Sequence, residues 1–242
     1  MRSYNLKINN LGLHQFFAEK NITHFHHANS LSTAASFIRE NGLLSRGYVE
    51  EKGLFQTEQS SDEIDKKYDV WDDVFIDTVD LHVHFGRKNL YGPVLFKFSI
   101  DLLLKNDIDI WITKNNPIYW NQYTTDEEKY FQGIEDVIQN WDNFDIQRRM
   151  VTIRKPRKPV LFESLVEIKL DNPKVEIYNG ITPFCEAKNI LYDFTNSKPE
   201  LRRLIVQREC GRCYCHDNYL NQMSTEQIAR LFLPHAHHNF PK

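Results

Sequence analysis

No apolar run in this chain approaches the roughly 20 residues that a membrane-spanning helix needs. The opening segment, Met1 to Phe17, lacks both the apolar stretch and the small-residue cleavage site of a secretory signal. Cysteine is scarce: there are four in 242 residues, and three of them crowd between Cys210 and Cys215. That is not a disulfide framework, and it predicts a reducing, cytoplasmic setting. There is no excess of basic charge either. Thirty Lys and Arg stand against 33 Asp and Glu, for a formal charge of -3. A chain-wide positive field is thereby excluded, and any nucleic-acid binding has to come from a local patch. No internal repeat and no low-complexity linker divides the chain. Residues 1–242 are expected to form one domain, with 179–242 as a helical C-terminal extension packed on it.

What is present suits a soluble core. Hydrophobic residues make up 41% of the chain, with 16 Phe and 11 Tyr. Residues Asn21 to His27 alternate as a strand, and Asn29 or Ser30 can cap a helix in which Leu31, Ala34, Ala35 and Ile38 recur. Gly42 stands where a helix commonly ends. The polar segment from Gly47 to Asp73 is long for a connection, which leaves a functional loop and a disordered linker as the two readings. "DVFIDTVDLHVHF", "GPVLFKFSI" and "IDIWIT" read as strands. Thr125 and Glu128 form a capping-box pattern opening a helix that runs to Trp141. Helices are expected at Phe184 to Phe194, at Glu200 to Arg208, and after Ser224. Strands and helices do not alternate as βαβ units, so the fold class is a mixed α+β domain.

Three clusters carry possible chemistry. The first is "THFHHANSLSTAASFIRENGLLSRG", with three imidazoles in four positions before a short helix and Arg46 after it. The second is the strand Val160 to Leu170. Its even positions are apolar or small, so Glu163 points to the other face between Leu161 and Leu165. Glu163 is either a scattered charge on an exposed face or a catalytic acid on a rigid strand. Just before it lies a basic run with Arg154, Lys155, Arg157 and Lys158, either a solvated loop or a phosphate-binding patch. The third is "CGRCYCH". Here Cys210, Cys213, Cys215 and His216 hold half of a zinc-site pattern without clean spacing for the rest, and the metal question stays open.

In order and spacing, these pieces resemble the DarT-type ADP-ribosyltransferases. "HFHHANSLSTAASFIRENGLLSR" is similar to that family's histidine motif, helix, Gly-Leu turn and arginine, and "FESLVEI" to its glutamate strand. CmdT-type phage-defence transferases, which modify RNA, resemble the same pattern. Two departures stand out: His26 replaces a threonine, and the family's middle segment is poorly kept, with His84, Phe85, Arg87 and Tyr91 in its place. The resemblance covers Ile22 to Leu170 in pieces and nothing after Asp171.

The resemblance implies an ADP-ribosyltransferase-like fold: a mixed, largely antiparallel sheet core with an NAD cleft and peripheral helices. It implies NAD as co-substrate and transfer of ADP-ribose to a base of single-stranded RNA or DNA. The setting would be a toxin or anti-phage effector restrained by an antitoxin protein. Glu163 and Arg46 are the expected catalytic residues; His24, His27, Asn29 and Arg46 are the expected NAD contacts; Arg154, Lys155, Arg157 and Lys158 would hold the nucleic acid. The segment from Gly47 to Asp73 would close over NAD. Two alternatives stay open: a protein side chain as acceptor, and a non-catalytic binding module on the same scaffold.

Overall fold

The computed structural model describes residues 6–84, 89–105, 108–146, 149–178, 180–208 and 215–241. In chain order the first half holds α1 (Asn10–Glu19), β1 (His24–Asn29), α2 (Leu31–Glu40), α3 (Arg46–Glu51), α4 (Asp62–Lys67), β2 (Val74–Ile76), α5 (Leu81–His84), β3 (Val94–Ser99) and β4 (Ile110–Ile112). The second half holds α6 (Asp126–Lys129), α7 (Gly133–Asn140), β5 (Val151–Ile153), β6 (Leu165–Leu170), α8 (Pro183–Phe194), α9 (Pro199–Arg202), β7 (Ile205–Gln207), α10 (Cys215–Gln222) and α11 (Thr225–Phe232). Two sheets form, with strand orders β1-β3-β6-β7 and β2-β5-β4. All pairings are antiparallel except β6 with β7. A single bridge, His26 with Asp77, joins one sheet to the other.

The larger sheet buries one face. Phe25, Phe96, Phe98, Ile168 and Leu170 all point into the core. Helix α2 lies over them with Phe37 against Phe96, ring centroids 5.9 Å apart. Ser30 caps α2 by accepting from the Thr33 amide, so of the two candidate caps it is Ser30, not Asn29, that starts this helix. Asn29 instead turns its Oδ1 to the Ser30 amide at 2.9 Å. The C-terminal helices α8 and α11 pack on α2. The segment after 179 is not helical throughout, since β7 extends the larger sheet beside β6.

The sequence reading misplaced three element boundaries. The strand expected through Leu81 to Phe85 stops at Ile76, because Asp80 accepts from the Val83 and His84 amides and turns the chain into α5. The helix expected from Thr125 to Trp141 breaks into α6 and α7 at Gly133, which has φ of +84°. The strand expected from Val160 begins only at Leu165. Leu161 adopts a left-handed φ of +76°, and Phe162–Ser164 form a 3-10 turn.

Gly42 shows how tightly the glutamate segment is tied to the helix before Arg46. Leu43 and Val160 exchange both backbone hydrogen bonds, at 2.8 and 3.0 Å. A Cβ on Gly42 would come within 2.6 Å of both the Pro159 Cβ and the Val160 nitrogen. Gly42→Ala is therefore expected to destabilise the fold by about 1–3 kcal/mol through overpacking, read as a lower urea midpoint at unchanged slope.

Candidate active site

Past the His26–Asp77 bridge the two sheets part, and a cavity of about 550 Å³ opens beside β1. That volume is in the range of small-molecule and cofactor sites. Its walls come from β1 (His26, His27, Asn29), from α2 (Thr33, Phe37), from Arg46 at the start of α3, and from the segments 56–61 and 73–81.

Arg46 is the first residue of α3, which Ser45 caps from its side chain. Its Nη2 donates to Asp62 Oδ2 at 2.6 Å and to the Thr57 carbonyl at 3.2 Å. The guanidinium lies over Trp71, 5.1 Å from the ring centroid, and its Nε is buried without a protein partner. The polar segment before Asp73 is thus an ordered wall, not a plain linker. Thr57 is fastened to α2 through Thr33 and Ser30, and Phe55 stacks on His235 with centroids 4.3 Å apart.

The histidines divide by strand position. His27 donates from Nδ1 to the Phe75 carbonyl at 2.8 Å, which leaves Nε2 as a buried acceptor with no protein partner. Burial lowers its pKa, with the Phe75 hydrogen bond opposing. His26 also lines the cavity, and its Nδ1 is buried without a partner. Burial lowers the His26 pKa to about 4, helped by Lys97, so this ring is neutral. His24 is two residues along the same face, and burial lowers its pKa too. It is not among the cavity-lining residues.

The structure thus brings His27, Asn29 and Arg46 together as expected, with His26 at the cavity instead of His24. Tyr91 also lines it, while Phe85 and Arg87 lie outside the described residues.

Glu163 is elsewhere. It sits in the 3-10 turn before β6, 82% exposed, with its carboxylate 2.6 Å from Lys105 Nζ. The exposed-charge reading therefore fits its setting better than the catalytic one. Four residues on, Glu167 occupies the position that Glu163 was expected to hold. The register pairs Asp77 with His26, His26 with Lys97, and Lys97 with Glu167. Residues directly opposite in antiparallel pairs share a face. The four side chains therefore form one ionisable row across the joined sheets, spanning about 15 Å at about 4.8 Å per strand. Its inner end, Asp77 and His26, lines the cavity. At its outer end Glu167 is about one-quarter exposed and lies 3.4 Å from Lys97 and 3.5 Å from Lys169.

The basic run is also changed by its surroundings. Arg154 donates to the fully buried Asp73 carboxylate and stacks 4.5 Å from the Trp111 centroid. Lys155 holds both oxygens of Asp69, at 2.7 and 2.6 Å. These two cations brace the chain, whereas Arg157 and Lys158 are exposed. Cys210 and Cys213 lie outside the described residues, as do the side chains of Cys215 and His216. Among the described residues no cluster of metal-ligating side chains occurs, and no helix is long and apolar enough to cross a membrane.

The architecture is that of an ADP-ribosyltransferase-like α+β fold with antiparallel-rich sheets. Among solved structures it is similar to Thermus sp. 2.9 DarT in complex with ADP-ribosylated ssDNA, at 12% identity and a TM-score of 0.50, covering 82% of this chain and 97% of that one. The same Thermus protein in complex with NAD+ matches with a TM-score of 0.46 at 12% identity, over 81% and 97% of the two chains. Thermosipho africanus DarTG in complex with ADP-ribose matches with a TM-score of 0.46 at 12% identity, over 76% of this chain and 49% of that one. No protein-family model matches the chain, and no curated protein matches it by sequence.

Proposed function

We propose that the chain is an NAD-dependent ADP-ribosyltransferase that modifies a base of single-stranded nucleic acid. The observation that carries this reading is the cavity itself. It holds an arginine at one end and the start of the ionisable row at the other, with buried polar atoms between them that have no protein partner.

Those orphaned atoms fit a polar, doubly anionic co-substrate. Arg46 can present its guanidinium fork to a diphosphate once released from Asp62. His27 Nε2 can accept from a ribose hydroxyl, and His26 Nδ1 offers a second polar contact. NAD supplies a sugar carbon activated by its bond to nicotinamide. As that bond breaks, positive charge develops on the sugar, and a carboxylate fixed nearby stabilises it. We assign this task to Glu167 in place of Glu163, because Glu167 stands in the row that leads out from the cavity.

The likeness in fold to a DarT solved with ADP-ribosylated ssDNA supports a single-stranded acceptor. A paired base hides its edge and must first be unstacked, which also favours single strands. A second reading, with a protein side chain as acceptor, draws support from Arg154 and Lys155, which are spent on Asp73 and Asp69. On the first reading the chain acts as a toxin or anti-phage effector restrained by an antitoxin protein. Its production alone in bacteria then stops growth, while the Glu167→Gln chain is tolerated.

Calorimetry with NAD on the Glu167→Gln background tests the cavity assignment. Arg46→Ala is expected to weaken NAD binding by at least about tenfold through loss of a charge-assisted contact, and His27→Ala by less. Unchanged affinity in both variants would put the NAD site elsewhere.

A further inference from the structure

Four carboxylates line the cavity, and three of them are engaged. Glu58 takes the Arg230 guanidinium at 3.4 Å, Asp65 accepts from Ser61 at 3.1 Å, and Asp73 holds Arg154. Asp77 is the fourth. Among the described residues its carboxylate has no hydrogen-bond or ion-pair partner. Its backbone is nonetheless fixed, since Asp77 and His26 exchange amide hydrogen bonds at 2.8 Å in both directions. Val79, Leu81 and Leu95 line the same part of the cavity and keep it apolar.

We propose that Asp77 accepts the proton of the incoming nucleophile, a task distinct from that of Glu167. This rests on the ADP-ribosyl-transfer reading. The acceptor's N–H or O–H group approaches the sugar carbon as the bond from that carbon to the nicotinamide nitrogen breaks, its electron pair passing to the nicotinamide ring. The acceptor atom forms the new bond to the sugar carbon, and its proton passes to the Asp77 carboxylate. On product release that proton leaves to water.

The surroundings suit this traffic. Burial pushes the Asp77 carboxyl up to about 7, with Asp80 adding to the rise. A group poised there takes and returns a proton near neutrality. Asp80 sits on the following turn and is itself held by Arg208 at 2.6 Å. Across the bridge His26 is neutral and offers no counter-charge; Lys97 on β3 and Lys169 on β6 stand beyond it, next to His26 and Glu167. Water acting as nucleophile can lose its proton to solvent, so simple NAD hydrolysis depends on Asp77 less than transfer does.

Asp77→Asn in the full chain separates these roles. Transfer to single-stranded nucleic acid is expected to fall at least about 100-fold and to lose its rise through pH 7. NAD hydrolysis to free ADP-ribose is expected to stay within about threefold.

A second readout needs no NAD. A carboxyl whose folded pKa is raised contributes stability that is complete below its unfolded value of about 3.9. That contribution is lost as pH climbs through the folded value of about 7. Asparagine carries no such loss, so the gain in melting temperature of Asp77→Asn over wild type is expected to be larger at pH 8.5 than at pH 5. Equal gains at both pH values, or a transfer rate and pH profile unchanged by Asp77→Asn, would overturn the assignment. A folded wild type that neither hydrolyses NAD nor transfers from it would overturn this assignment together with the function beneath it; an active wild type with an indifferent Asp77→Asn overturns this assignment alone.

Discussion

Glu167→Gln lowers ADP-ribose transfer by at least about 100-fold, because it removes the charge set against the developing cation on the sugar. The amide keeps the size of the side chain, so the β6 register and the fold are retained. The ion pairs lost, to Lys97 and Lys169, are partly exposed, and their removal changes stability by no more than about 1 kcal/mol. Glu163→Gln is the matched control. Its carboxylate is 82% exposed and turned to Lys105, and transfer by that variant matches wild type. Initial rates of both purified variants with labelled NAD decide the matter. Loss of transfer in Glu163→Gln with full activity in Glu167→Gln would reverse the assignment.

The largest effect on stability is expected from Arg208. Asp171 is fully buried at the end of β6, and four groups surround it: Arg208 Nε at 2.5 Å, Tyr219 hydroxyl and His82 Nδ1 each at 2.7 Å, and Asn89 Nδ2 at 3.2 Å. Burial pushes the Asp171 carboxyl up, but His82, Arg208 and Tyr219 together overcome it and hold the group below the usual carboxylate range. Arg208 also reaches Asp80 and so ties the turn behind the cavity to the end of the larger sheet. Arg208→Met leaves a charge buried without its main counter-ion, which costs about 3–5 kcal/mol.

Urea unfolding of Arg208→Met is therefore expected to show a much lower midpoint. The double variant with Asp171→Asn should recover part of the loss, because the uncompensated charge is gone. The sign with pH follows from the depressed Asp171. Its contribution is present above the unfolded value of about 3.9 and is lost as pH falls through the folded value. An Arg208→Met chain that unfolds like wild type would mean that Asp171 is protonated in the fold.

Much of this arrangement was legible in the sequence. The histidine strand, the helix after it and Arg46 beyond it signalled one side of a pocket, and both capping boxes, Thr125 with Glu128 and Ser224 with Gln227, are present. What failed did so for local reasons. Alternation counted from Val160 presumes an unbroken strand, whereas the left-handed Leu161 and the turn at Phe162–Ser164 carry Glu163 away before β6 begins. The same count put Glu167 on the polar face correctly, yet nothing in it distinguished the two glutamates.

His24 and His26 share a face by the same rule. Only the bridge from His26 to Asp77, made between distant segments, decides which of them reaches the cavity. Arg154 looked like a free cation because its partner, Asp73, lies 81 residues earlier in the chain. Asp77 was read as one more position in a strand, and its role became visible only once the cavity was.

The central claim is that this cavity transfers ADP-ribose to a base on a single strand. Radiolabelled NAD incubated with the wild-type chain and, in parallel, with RNA, single-stranded DNA, duplex DNA and total protein tests it directly. Label is predicted on single-stranded nucleic acid, weaker on duplex, and absent in every sample treated with Glu167→Gln. Label confined to protein would replace the acceptor, and a folded chain that labels nothing and binds no NAD would contradict the claim.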